Sequence, residues 1–161
     1  MTKTIPFEEF NLFNPAFVGL IENEFVRGYT SASSREIDFP LLFIGVPLAV
    51  HKIFREALPR TTRTSFVTWI QSNPDVRIHF HAVSHSYVGP VKAGLSLMLA
   101  KGALKIEKDL VSSINEVSHK GRNFQISDET EECLTKARHV GKWLSKSGTT
   151  ATIYALLGVA P

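Results

Sequence analysis

Apolar positions recur at helical spacing along most of the chain, and prolines, glycines and capping residues mark where each run begins and ends. The first run follows Asn14-Pro15: Asn14 suits an N-cap, Pro15 the first helical position, and Phe13 and Val18 are spaced as a hydrophobic staple. Phe17, Leu20, Ile21, Phe25 and Tyr29 then form one stripe, which predicts an amphipathic helix to about Gly28 and a polar loop over residues 30–35. Residues 39–58, with Asp38 as the cap, are apolar nearly all round until Lys52, which predicts a buried helix kinked near Gly45 to Pro47 and ended by Pro59. A short helix with Phe66, Trp69 and Ile70 on one face stops by Asn73. Asn73-Pro74 starts the next helix, with Val76, Phe80, Val83 and Tyr87 as its buried stripe.

Further along, residues 90–101 predict a helix with Val91, Leu95, Met98 and Leu99 inward, stopped by Gly102. Leu104 and Ile106 alternate with Lys105 and Glu107 as in a strand, and residues 123–127 are its expected partner across a loop carrying His119, Lys120, Gly121 and Arg122. Helix, helix, glycine, strand, basic loop, strand is the order of a winged-helix module, although the stretch between is long for a wing and Leu110, Val111 and Ile114 suggest that part of it packs. Ser127 with the carboxylates behind it starts a helix whose Leu134, Ala137, Val140, Gly141 and Leu144 face inward. Gly148 precedes a last apolar helix over residues 149–158. The expected fold is mainly α: a compact helical domain with a small β-hairpin and a winged-helix-like C-terminal half. Residues 1–74 form a helical part and residues 75–161 a winged-helix-like part with C-terminal helices, sharing one core.

Composition narrows the function classes. Of 161 residues 43% are hydrophobic and 20% charged, so the chain should fold and leave its surface somewhat under-charged. The longest apolar run, residues 39–50, is 12 residues long and holds Pro40 and Pro47, too short to cross a bilayer, and the N-terminus lacks the apolar stretch of a signal peptide. With Cys133 as its one cysteine the chain has no internal disulfide, and a cytoplasmic location is expected. The net charge of +3 divides into −3 over residues 1–40, +4 over residues 41–100 and +2 over residues 101–161. The middle excess comes from Lys52, Arg55, Arg60, Arg63, Arg77 and Lys92, either a solvated face or a surface for an acidic partner.

Catalytic and metal-binding patterns are not found. His81 and His85 stand four apart, but Ala82 occupies the place where a zincin needs glutamate, and two ligands do not close a site. Cys133 follows Glu131 and Glu132, which should raise rather than lower its pKa, and no phosphate loop, dinucleotide fingerprint or nucleophile elbow occurs. The expectation is no enzyme, no metal and no cofactor. Residues 58–65, Leu-Pro-Arg-Thr-Thr-Arg-Thr-Ser, are more informative: two arginines and four hydroxyls just before a helix start suit a phosphate, a protein interface or a tight internal connection.

Asn14-Pro-Ala-Phe, the Phe39-Pro-Leu-Leu-Phe run with Pro47-Leu and His51-Lys52, and above all Leu58-Pro-Arg-Thr-Thr-Arg-Thr-Ser65 with Trp69 and Asn73-Pro74 resemble the middle-component family of three-component ABC-ATPase conflict systems. The resemblance is clearest over residues 13–74; beyond them it rests on the helix-glycine-strand pattern and Leu157-Gly-Val. It implies a role rather than a site: an adaptor linking an SMC- or Rad50-like ABC ATPase to an effector, often a nuclease, as in Lamassu-type anti-phage and anti-plasmid systems. The residues expected to face those partners are Lys52, Arg55, Arg60, Arg63 and Trp69, although Trp69 also suits a core position. An alternative is a stand-alone winged-helix DNA-binding protein touching phosphates through Lys92, Lys120 and Arg122. DNA contact inside the complex is compatible with the adaptor reading.

Overall fold

The computed structural model describes residues 14–117 and 126–161. Its first helix, α1 (Pro15–Ser33), starts as the cap residues dictate: the Asn14 side chain accepts from the backbone N–H groups of Ala16 at 3.1 Å and Phe17 at 3.3 Å. Phe13 lies outside the described residues, so the staple does too. The helix continues past Gly28 to Ser33, with the Ser31 and Ser33 hydroxyls donating back to the Gly28 and Tyr29 carbonyls, and it ends at Ser34 in the left-handed region.

The amphipathic helix expected here as core scaffold is buried over more of its surface than its apolar stripe implies. Besides Phe17, Ile21, Phe25 and Tyr29, the residues Val18, Gly19, Glu22, Asn23, Glu24, Val26 and Gly28 are buried, so α1 is the central element. After it come β1 (Ile37–Asp38), a 3-10 turn (Phe39–Leu41), α2 (Leu42–Val50), α3 (Lys52–Ala57), α4 (Phe66–Ser72) and α5 (Pro74–Val83). A second 3-10 turn (Ser84–Tyr87) leads into α6 (Val88–Ala100), the strands β2 (Leu104–Glu107) and β3 (Leu110–Ser113), α7 (Asp128–Leu144) and α8 (Thr150–Leu157). Helices α6 and α7 make the most extensive packing against α1.

Glycines set how close that packing is. A Cβ on Gly28 would lie 2.2 Å from the Arg138 carbonyl oxygen, and one on Gly141 would lie 2.2 Å from that of Phe25, so the α1 and α7 backbones touch. On another side of α1, Gly19 faces Gly94 and Met98 of α6, and the Phe25 ring fills the space left by Gly45 of α2.

The expected kink near Pro47 falls instead at His51. Pro47 has no N–H for the Phe43 carbonyl, yet α2 runs through it, and the Pro47 carbonyl accepts from the His51 N–H at 2.9 Å. His51 turns extended, ψ 122°, and its own carbonyl begins α3 by accepting from the Arg55 N–H. The Arg55 guanidinium donates to the carbonyl of Val50, the last residue of α2.

The sheet also departs from expectation. Among the described residues β2 pairs with β3, in the register Leu104↔Ser113 to Glu107↔Leu110, across a turn in which Lys108 and Asp109 both have positive φ (50° and 64°). Residues 123–125 lie outside the described residues, and Ile126 and Ser127 are not in a strand. β1 from the N-terminal half pairs antiparallel with the other edge of β3, giving the order β1-β3-β2. Asn23 of α1 holds the end of β3 by donating to the Ser113 hydroxyl and the Asn115 carbonyl. The stops and starts at Gly102 (φ 68°), Ser127 and Gly148 (φ 94°) fall where the pattern put them, whereas Leu99 is partly exposed rather than inward.

Glu22 is fully buried, and neither carboxyl oxygen has a hydrogen-bond partner among the described residues. Burial pushes its pKa up to about 9, so the folded protein holds it neutral at physiological pH. Its contribution to stability is complete below the unfolded value of 4.5 and is lost as pH rises through about 9. Glu22→Gln should therefore stabilise the protein on the order of 3 kcal/mol near pH 7 and flatten the fall of the urea midpoint over that range. An unchanged pH profile would show that Glu22 does not carry it. Gly28→Ala and Gly141→Ala should each cost about 1–3 kcal/mol or more by urea denaturation, because only backbone lies in the way and the helices must separate.

Candidate functional site

Residues 58–65 connect α3 to α4, and three ring N–H groups fix their path. Trp69 Nε1 donates to the Ala57 carbonyl at 2.6 Å, His139 Nε2 to that of Pro59 at 2.7 Å and Trp143 Nε1 to that of Thr64 at 2.7 Å. The two indoles meet edge to face at 4.9 Å, with Phe66 stacked near both, and the Ser65 hydroxyl caps α4 by accepting from the Thr68 N–H at 3.1 Å. Carbonyls along this arch are taken up by α4 and α7, whereas the Arg60 and Arg63 side chains are exposed.

Arg63 lines a hollow of about 360 Å³ with Thr62, Ser65, Trp143, Lys146 and Ser147, and Lys146 Nζ donates to the Thr62 hydroxyl at 3.3 Å. Lys142 is exposed one helical turn before Lys146 on α7. Sequence reasoning did not connect these lysines with the arch. The available signal was their spacing with His139 and Trp143, which turns the polar end of α7 toward whatever those rings bind. Burial comes first among the causes that lower the His139 pKa, and Lys136 and Lys142 add to it, so the ring is held neutral as a donor to Pro59.

Two of the expected partner-facing residues are internal. Arg55 is buried: its guanidinium meets Glu129 at 2.9 Å, Glu132 at 3.5 Å and the Cys133 sulfur at 3.4 Å, besides the Val50 carbonyl. Both glutamates reach it from the first turns of α7, so Arg55 ties the α2–α3 break to that helix instead of facing outward. Trp69 is buried too, held by the aromatic cluster and by its bond to Ala57. Lys52 is exposed on α3 beside Glu56 at 3.9 Å, and Lys92 is exposed on α6; neither lines the hollow. Lys120 and Arg122 lie outside the described residues.

Chemically, the arch offers guanidinium, ammonium and hydroxyl donors to an acidic surface. His79 Nδ1 bonds the Asp75 carbonyl at 2.8 Å, His81 and His85 are exposed, and no group of three or more potential metal ligands is found among the described residues. No helix among them is long and apolar enough to cross a membrane.

Stability separates the two kinds of arginine. Arg55→Ala should lower the unfolding free energy by about 2–3 kcal/mol, since it strips the Val50 carbonyl of its donor and opens a buried space. Arg60→Ala should change it by within about 0.5 kcal/mol, and equal effects in urea denaturation would contradict the assignment.

A family model described as ABC-three component (ABC-3C) system Middle Component 3 matches residues 2–161. The match runs through the C-terminal half as well as the segment on which the resemblance is clearest. No curated protein and no solved structure matches the chain.

Proposed function

Since the chain belongs to the Middle Component 3 family of ABC-three component systems, we propose that it is a non-catalytic adaptor joining an SMC- or Rad50-like ABC ATPase to an effector, a nuclease in the leading case. Family membership makes it an accessory component of a multi-component ATPase system, and this is the observation that carries the reading. The system's task, on this proposal, is cytoplasmic defence against phage or plasmid DNA. The adaptor holds its companions through Arg60 and Arg63 on the arch, with Lys52 on the neighbouring helix. Held in place by α4 and α7, the arch presents these arginines with little ordering cost, which suits a docking surface.

A stand-alone winged-helix DNA-binding role has one observation in its favour, the β2–β3 hairpin that follows helix α6. Two others weigh against it. The turn between β2 and β3 is only Lys108-Asp109, and Lys92 is the one charged residue on α6, whereas phosphate contact asks for several cations on one face.

Co-expression with its ATPase and effector companions should yield one complex containing all three chains. Arg60→Glu with Arg63→Glu should release at least one companion while leaving the circular dichroism spectrum unchanged. A monodisperse monomer with no affinity for either companion would overturn the adaptor reading. Salt-sensitive duplex DNA binding by the isolated chain would favour the alternative.

A further inference from the structure

A groove lies on the surface between the α2 entry, the corner joining α5 to α6, and the residues that follow α8. Its volume is about 360 Å³, space for one or two large side chains. Phe39 and Phe43 form one wall, locked edge to face at 5.2 Å, with Val88 and Val159 across from them. All four are half-buried, so the wall is formed yet still open to solvent. The Tyr154 hydroxyl is engaged by the Pro40 carbonyl at 2.6 Å, which leaves the floor asking for apolar contact. The rim is of another kind: His85 and Lys92 are exposed there, and none of the lining side chains is acidic.

The same composition continues on the far side of residues 157–161. There Leu157 and Gly158 border a second hollow with Arg77, Ile78 and His81, in which Ile78 is 70% exposed. Residues 157–161 thus line two depressions, each pairing apolar surface with a cationic side chain and an imidazole. A duplex nucleic acid keeps its bases stacked inside and would gain little from the aromatic wall, and a wholly apolar ligand would leave Lys92 and Arg77 unmatched.

We infer that this strip receives an acidic amphipathic segment of a companion chain, whose large apolar side chains fill the groove beside Phe43 and whose carboxylates meet Lys92 and Arg77. The inference rests on the adaptor reading and adds to it a second docking surface, formed by other elements than the Arg60–Arg63 arch.

The test uses the full chain assembled with its ATPase and effector companions. A p-benzoylphenylalanine in place of the exposed Ala160, which lines the groove, should cross-link on irradiation to a companion peptide. That peptide should hold Leu, Ile, Phe or Trp within about one helical turn of Asp or Glu. His85→Glu with Lys92→Glu, both exposed and so compatible with folding, should weaken capture of that companion by roughly tenfold or more, and Phe43→Ala should weaken it at both low and high salt. Cross-linking to this chain itself, to a second copy, to DNA or to a basic peptide overturns the inference. Wild-type affinity in the groove variants, with assembly intact, overturns it alone; failure of the wild-type chain to assemble overturns the adaptor reading as well.

Discussion

At Gly28 and Gly141 two helices approach until backbone meets backbone, and much of the remaining structure depends on that approach. Once α7 lies this close to α1, its first turns bring Glu129, Glu132 and Cys133 to Arg55, and its last turns bring His139 and Trp143 to the carbonyls of residues 58–65. A side chain at either glycine would push the helices apart and loosen both sets of contacts together. The candidate surface is therefore set by packing on the other side of α7.

The interior also holds ionisable side chains, Glu22 and Arg55 among them. Arg55 closes a helix break that Pro47 makes probable in sequence but that falls four residues later, where an arginine one turn on can reach the freed carbonyl. Its two glutamate partners keep access to water at their outer ends, which limits the desolvation penalty of the buried guanidinium. Glu22 has no such partner and is held neutral instead. The two groups show the two ways a chain can bury an ionisable side chain: surround it with counter-charge, or remove the charge.

Much of the architecture was legible because helix ends obey local rules. Asn14-Pro15, Asn73-Pro74, Ser127, Gly102 and Gly148 each act through their own backbone geometry or a bond within the next turn, so one sequence suffices to place them. What was missed is non-local. The Lys108-Asp109 turn carries neither glycine nor asparagine, and the strand it joins was assigned to a partner further along. β1 is a two-residue strand that exists only because β3 lies beside it. The burial of α1 on almost every side is not visible in sequence because it includes the polar residues Glu22, Asn23 and Glu24, of which Asn23 finds its partner on β3. Of the expected interface residues, Arg60 and Arg63 are exposed, as pattern and composition suggested. Arg55 and Trp69 are internal, since an arginine's charge says nothing about which neighbours will neutralise it.

The arch has one more property, which concerns time. His139, Trp143 and Lys146 reach residues of the arch across sequence separations of 80, 79 and 84. Closing loops of that length is slow relative to forming a helix, and during synthesis it must wait until α7 has left the ribosome. A nascent chain carries Arg60 and Arg63 well before it carries the side chains that hold their segment in place, so the arch is completed only after α7 and Lys146 have been made. An ordered arch thus reports that α7 has docked.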